Sequence, residues 1–367
     1  MRLETIKVLD FKNIGEASLR FSPKLNCLVG NNGMGKSNML DAIYYLSFGK
    51  SFSGAGDRML VRDGSEFAML TADYRRRDEA TTLNVAFWAG EKRKSFRRDG
   101  KEYKRLSAHI GMFPAVLVAP SDLGLVNGTG EERRRFIDQS IAQSDPIYLD
   151  RLMRYATALT QRNSMLRNGV TDPLLYEAVE SVMAECAAHI TETRRRHVAE
   201  LEKVHTRFYN DIDESGPEST GLRYVSAGGD RLADEFGRNR QRDMILKHTT
   251  AGPHRDDIEF TLNGMPLRRT ASQGQQKTFT IALRFAQYLF TREASAVSPL
   301  LLLDDIFDKL DSNRVRAIIN VVRTTDFGQI FITDTNRQNL HRMLEDLGDD
   351  IAVWNVDGGR FNPISLR

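Results

Sequence analysis

Eight consecutive residues, Gly30-Asn31-Asn32-Gly33-Met34-Gly35-Lys36-Ser37, carry the spacing G-x-x-x-x-G-K-S. Glycines at this spacing let successive backbone N–H groups turn inward and form a nest for phosphate oxygens. Lys36 would reach the β- and γ-phosphates of a nucleoside triphosphate, and Ser37 would ligate Mg²⁺. Ahead of the segment, Leu25-Asn26-Cys27-Leu28-Val29 reads as a buried strand. Behind it, Met39, Leu40, Ile43 and Leu46 recur at helical spacing. The glycines therefore form a strand-to-helix turn, with the helix directing its positive end at the anion.

A second segment, Leu300-Leu301-Leu302-Leu303-Asp304-Asp305, is an apolar strand that delivers two carboxylates at its C-terminal end, where an α/β sheet holds its ligands. Asp304 is expected to hold Mg²⁺. Upstream, Ser272-Gln273-Gly274-Gln275-Gln276-Lys277 opens a helix. Alone this is a weak pattern, since serine at an N-cap is ordinary punctuation. Lying between a P-loop and a two-carboxylate strand, it resembles the signature motif of ABC-type ATPases.

That resemblance implies several roles. Asp305 would orient or deprotonate the attacking water, beside Lys36 and Ser272 as the other catalytic groups. Ser272, Gln273 and Gly274 would contact the γ-phosphate held by a second chain, so ATP and Mg²⁺ would be enclosed by an ATP-dependent homodimer. Asp311, six residues after Asp305, would line the dimer seam. Thr333 takes the switch position where transporters carry histidine, which implies slow hydrolysis.

The elements that must position these groups follow from periodicity. Residues 6–11 and 17–21 alternate as strands, and residues 67–105 read as a β-meander with a hairpin turn at Asp99-Gly100. Residues 131–210 are strongly helical, and Tyr176 to Phe208 suggests one long helix or a helical hairpin. Residues 214–219 have loop composition. Strands return at residues 329–332 and 353–356, the latter running into an Asp357-Gly358-Gly359 turn. The expected fold is α/β: an ABC-type ATPase head with a P-loop, a mixed sheet with flanking helices and an N-terminal β-meander, plus an inserted helical lobe. Its expected division is 1–122 (P-loop half), 123–248 (helical lobe) and 249–367 (signature and carboxylate half).

With 52 Lys and Arg against 49 Asp and Glu, the chain is nearly neutral at +3, so any nucleic-acid site must be a local patch. Residues 91–105 provide one, with eight basic against three acidic residues. Lys92, Arg93, Lys94, Arg97, Arg98, Lys104 and Arg105 are the candidate DNA contacts, and Phe96 and Tyr103 either stack on bases or pack beneath the sheet. Arg133-Arg134-Arg135 and Arg194-Arg195-Arg196-His197 are either solvated helix faces or phosphate contacts. His254 is more often a structural hydrogen-bonding group than an acid–base one. Cys27 and Cys186 lie outside any C-x-x-C spacing, which argues against zinc or a disulfide framework and suits a reducing compartment. Neither a secretory signal nor an apolar run near the roughly 20 residues of a spanning helix is evident, so a cytoplasmic protein without a membrane partner is expected.

Other stretches are similar to the RecF family of bacterial recombination-repair ATPases. They are Asp10-Phe11-Lys12-Asn13, Lys50-Ser51-Phe52 with Asp57-Arg58, Pro120-Ser121-Asp122-Leu123 continuing through Gly130–Asp138, and Ala251-Gly252-Pro253-His254-Arg255-Asp256-Asp257. The resemblance spans essentially the whole chain. It implies ATP-dependent binding of duplex, gapped or junction DNA, action with a RecR-like partner, and help for RecA in replacing single-strand-binding protein. It also implies that Lys12 and Asn13 line the nucleotide. No glutamine occupies the Q-loop stretch, leaving Ser121 or Asp122 as γ-phosphate sensor. A transporter ATPase subunit, a short SMC-like structural head and a nucleotide-gated scaffold with negligible turnover are the rival readings.

Overall fold

A computed structural model describes residues 1–76, 79–91, 93–213, 216, 218–228, 232–335 and 350–364. Strands β1 (Arg2–Phe11) and β2 (Ile14–Arg20) precede β3 (Leu25–Val29), the P-loop and helix α1 (Lys36–Phe48). Then come β4 (Phe67–Arg76), β5 (Glu79–Trp88), β6 (Lys94–Arg98), β7 (Lys101–Glu102) and β8 (Ala115–Val118). A helical stretch follows: α2 (Leu123–Asn127), α3 (Gly130–Ala142), α4 (Pro146–Arg167) and α5 (Pro173–Ile212). After it stand β9 (Thr220–Val225), α6 (Leu232–Leu246), β10 (Asp257–Leu262), β11 (Met265–Pro266) and α7 (Leu267–Thr270). The chain continues through α8 (Gln273–Ser295), β12 (Leu300–Leu303), α9 (Ser312–Thr324), β13 (Ile330–Asp334), β14 (Ile351–Asp357) and β15 (Arg360–Pro363).

The chain divides into two compact units. One comprises Met1–Asp122, Asp211–Ser215 and Gln287–Arg367, and the other Leu123–Asn210 and Gly216–Ala286. The first holds two sheets. An antiparallel sheet runs β2-β1-β4-β5-β6-β7, and a mixed sheet runs β15-β14-β3-β13-β12-β8, parallel except for the β14–β15 pair. Alternation explains the former: Ala68, Leu70, Ala72 and Tyr74 of β4 are buried on every second position. In β1 the rhythm skips from Leu3 to Ile6 because the pairing with β4 shifts register between Leu3 and Thr5. Asp99 and Gly100 both have positive φ, at 51° and 76°, which a tight β6–β7 hairpin requires.

In the mixed sheet β3, β8, β12 and β13 are buried throughout, as parallel strands covered on both faces must be. Helix α1 packs against β1 and β4 of one sheet and β8 and β13 of the other, so Met39 through Phe48 are all buried. The P-loop helix is thus a core helix rather than an amphipathic one.

In the second unit the expected helical segment is realised as one continuous 40-residue helix, α5, about 60 Å long at 1.5 Å per residue. Strand β10 pairs with β9 and β11. That pairing places residues 249–286 with the middle segment, whereas the sequence reading grouped them with the C-terminal half. Of the expected loop at 214–219, Glu214, Ser215 and Pro217 lie outside the described residues.

The arginine runs divide: Arg135, Arg195 and Arg196 lie on exposed helix faces, whereas Arg133, Arg134 and Arg194 turn to partners within the same unit. Arg133 makes a bidentate pair with Asp257, at 2.6 and 2.9 Å, and Arg134 donates to the Asp256 carbonyl at 2.6 Å. Arg194 is buried against Asp138 and the Pro253 carbonyl, and Arg162 is buried against Glu180 and Asp243. Only Arg135 and Arg195 carry exposed intrahelical pairs, with Glu131 and Glu192. Helical periodicity turned one side of each run inward, where carboxylates compensate Arg133 and Arg194 and a carbonyl receives Arg134.

Candidate nucleotide-binding site

The P-loop joins the end of β3 to the start of α1. Gly33 and Gly35 take φ of 78° and 111°, a region side chains avoid. A Cβ on Gly30 would lie 2.2 Å from the Val356 carbonyl, so glycine there permits β14 to approach backbone to backbone. Gly35, the N-cap of α1, offers no side-chain acceptor to the first-turn N–H groups. An uncapped helix start behind a glycine turn fits a phosphate group.

The Lys36 ammonium donates to the carbonyls of Gly30 and Asn31 at 2.6 and 2.8 Å. Burial lowers its pKa, opposed by the field of Asp305, Asp304 and Asp334. Both carbonyls are neutral acceptors, which phosphate oxygens could replace with charge-assisted bonds.

Ser37 Oγ donates to Asp304 Oδ1 at 2.8 Å, and Thr333 Oγ1 donates to the same oxygen at 2.8 Å. The Asp305 N–H donates back to Thr333 Oγ1 at 2.9 Å. Burial raises the Asp304 carboxyl above the usual range, while Ser37 and Thr333 oppose that shift. One hydroxyl and one carboxylate beside a phosphate nest suit Mg²⁺, which takes few protein ligands and completes its shell with phosphate and water. Ser37 and Asp304 are the residues that could hold it.

The structure gives other expected site residues a supporting place. Lys12 Nζ lies 2.5 Å from Asp41, a fully buried residue of α1 that also accepts from Ser51 Oγ and the Phe52 N–H. Lys12 is therefore engaged with the P-loop helix, and the Ser51-Phe52 signal is explained by Asp41, which sequence reading missed. Asn13 Nδ2 donates to the Gly33 carbonyl at 3.2 Å and its Oδ1 accepts from Asn38 at 2.8 Å, bracing the loop. The Gly359 N–H donates to the Met34 carbonyl at 2.8 Å, a brace that the glycine turn signalled only as a turn. Asp122 closes a local turn by accepting from the Ala119 N–H, while Ser121 is exposed.

Ser272, Gln273 and Gly274 belong to the other compact unit. Ser272 is the exposed cap of α8 in a reciprocal box: Ser272 Oγ accepts from the Gln275 N–H at 3.2 Å, and the Ser272 N–H donates to Gln275 Oε1 at 2.9 Å. Asp311 caps α9 through the Asn313 and Arg314 N–H groups, its carboxylate half exposed.

On the basic hairpin, Lys92 lies outside the described residues. Lys94 turns inward, donating to the Gly49 carbonyl at 2.9 Å and lying 3.3 Å from Asp57. Arg93 stands over the Trp88 ring and Arg98 over Tyr103. Arg93, Arg97, Lys104 and Arg105 are exposed, while Phe96 is buried in the core. His254 is structural: Nε2 donates to the Thr249 carbonyl and Nδ1 accepts from Tyr155, with burial holding its pKa down at about 4.

A P-loop at one strand end and paired carboxylates at another, in a mixed sheet joined to an antiparallel one, define an ABC-type ATPase head of the SMC-like class. Residues 2–350 match the RecF/RecN/SMC N-terminal domain. The chain belongs to the RecF family. It is 42% identical over 367 residues to the DNA replication and repair protein RecF of Parabacteroides distasonis, covering 99% of this chain and 100% of that one. It is 43% identical over 363 residues to that of Porphyromonas gingivalis, covering 98% and 99%. The solved structure of the recombination mediator protein RecF with ATP, in the RecFOR pathway, superposes at a TM-score of 0.89 with 26% identity, covering 99% of this chain and 97% of that one. An SMC head domain from Pyrococcus furiosus matches at 0.59 with 15% identity over 99% and 96%, which bears on the fold alone. Among the described residues no helix is long and apolar enough to cross a membrane.

Proposed function

We propose that this chain is a slow, DNA-stimulated ATPase of recombinational repair that works as an ATP-gated clamp in the cytoplasm. The observation that carries the reading is the 2.8 Å contact between Ser37 and Asp304, which unites the P-loop and the carboxylate strand at one point. ATP would lie along the loop from Gly30 to Ser37, with Lys36 on the β- and γ-phosphates and Ser37 and Asp304 on Mg²⁺. Bound Mg²⁺ would screen phosphate charge and orient the γ-phosphate. Asp305 would orient or deprotonate the attacking water.

Ser272, Gln273 and Gly274 of a second copy would meet the γ-phosphate, with Asp311 at the seam, so closure into a homodimer follows ATP and opening follows hydrolysis. The exposed cap at Ser272 supports this. Closure would grip gapped or junction DNA through phosphate contacts that include the exposed arginines of the β6–β7 hairpin. With a RecR-like partner, the clamp would promote RecA loading, a role supported by the pathway in which the solved relatives stand.

Footprinting on gapped duplex tests the proposal. Protection at the gap boundary is expected with ATP or a non-hydrolysable analogue, and its loss as ATP is consumed. Protection independent of nucleotide would overturn the clamp and leave a passive DNA-binding head.

A further inference from the structure

We propose that Thr333 is a positioning residue that holds the Asp304–Asp305 turn, rather than a sensor of the γ-phosphate. Its hydroxyl sits where strand β12 leaves the sheet. Leu303 pairs with Ile332 of β13, and the Asp304 N–H still finds a carbonyl, Val118 of β8, at 2.8 Å. One residue later the chain turns away: Asp305 takes a φ of 48°, unusual for any residue but glycine. Its N–H then lacks a ladder partner and donates to Thr333 Oγ1 instead, at 2.9 Å. The side chain of one strand thus supplies the acceptor that the backbone of its neighbour has lost.

A threonine hydroxyl has one proton to give. Here that proton points to Asp304 Oδ1 at 2.8 Å, and one lone pair receives the Asp305 N–H. What remains is an acceptor, which cannot stabilise a phosphate anion. Thr333 is fully buried, so the arrangement is fixed by the surrounding sheet. A histidine at this position would have an N–H to donate; this threonine does not. Asp304 Oδ1 also accepts from Ser37, but Ser37 is the residue that would turn to Mg²⁺, leaving Thr333 to orient the carboxylate. The same hydroxyl stabilises the left-handed backbone that aims Asp305, so one side chain sets the direction of both acids.

The inference rests on the reading of this site as an ATPase, and the test separates the two. Thr333→Val keeps the volume and β-branching and removes the hydroxyl; Thr333→Ser keeps the hydroxyl. Steady-state turnover is measured together with ATP and ADP affinity, each with and without Mg²⁺. In Thr333→Val, kcat is expected to fall about 10- to 100-fold. Metal-free ATP and ADP affinities should stay within about twofold of the parent, and the gain in ATP affinity on adding Mg²⁺ should be lost. Thr333→Ser should restore both turnover and the Mg²⁺-linked gain.

A selective loss of metal-free ATP affinity relative to ADP in Thr333→Val would make Thr333 a γ-phosphate sensor and overturn the proposal. So would equal behaviour of the Val and Ser variants, or an unchanged Mg²⁺-linked gain. If the parent does not hydrolyse ATP, the ATPase reading fails, and the Mg²⁺-linked affinity still decides the role of Thr333. Should Thr333→Val fail to fold, Thr333→Ala carries the same comparison.

Discussion

Ser37 and Asp304 stand 267 positions apart in the chain and meet in a 2.8 Å hydrogen bond between the first turn of α1 and the end of β12. The P-loop and the carboxylate strand are thereby held together in a single compact unit. The same contact explains why Lys36, one residue earlier, faces Asp304 and Asp305 while its ammonium rests on loop carbonyls.

Lys36→Met should weaken ATP binding by about 10- to 150-fold, the value of one or two charge-assisted hydrogen bonds. The melting temperature should hardly move, since the native partners of Lys36 are two carbonyls of an open loop. Isothermal titration calorimetry and a thermal melt check both halves. Near-parental ATP affinity would remove Lys36 from the site.

Ser272→Arg should abolish ATP-dependent dimerisation without affecting ATP binding by the monomer, because the capping hydroxyl it replaces is exposed on a unit that lacks the P-loop. Mixing supplies the sharper version. A Ser272→Arg chain combined with a Lys36→Met chain can form one intact site, so partial heterodimer is expected where neither dimerises alone. Light scattering reads the outcome, and a Ser272→Arg chain that dimerises like the parent would sink the head-to-tail model.

Replacing Arg93, Arg97, Lys104 and Arg105 with Ala should flatten the slope of log affinity against log salt, by at most about 0.9 per lost phosphate contact on duplex DNA. Lys94→Ala should act differently. Its ammonium holds the C-terminal end of α1 and Asp57, so it should lower stability rather than the salt slope. Fluorescence anisotropy across a salt series tests the first, chemical denaturation the second. An unchanged slope would make the hairpin a solvated edge.

Burial depresses four histidines: His109, His205 and His254 to about 4, and His197 to about 3. The folded state therefore binds fewer protons than the unfolded state below pH about 6.5, and stability present above that pH is lost as pH falls towards the folded values. Each histidine contributes at most about 1.4 kcal/mol of loss per pH unit in that window. A clearly lower urea midpoint at pH 5.5 than at pH 7.5 is expected. Equal midpoints would mean that these rings are protonated in the native state or balanced by carboxylates.

The P-loop, the carboxylate strand and the helix opening at Ser272 were legible in sequence because each is a local pattern: glycine spacing, apolar runs and an N-cap are properties of neighbouring residues. The β-meander and its Asp99-Gly100 turn were legible for the same reason. Tertiary structure alone decided what those patterns face. Lys12 and Asn13 serve the P-loop helix and loop because β1 and β2 deliver their turn beside α1, a placement no spacing encodes. Arg133 and Arg194 look like a basic surface in one dimension and become ion pairs once Asp257, Asp138 and Asp256 fold against them, while Arg134 meets the Asp256 carbonyl. Residues 249–286 joined the middle segment because a strand chooses its sheet by the partner that satisfies its backbone, and for β10 that partner is β9. Thr333 shows the division most plainly: sequence fixed its place after an apolar strand, and the packing of β13 beside β12 decided which atoms its single proton and lone pairs would meet.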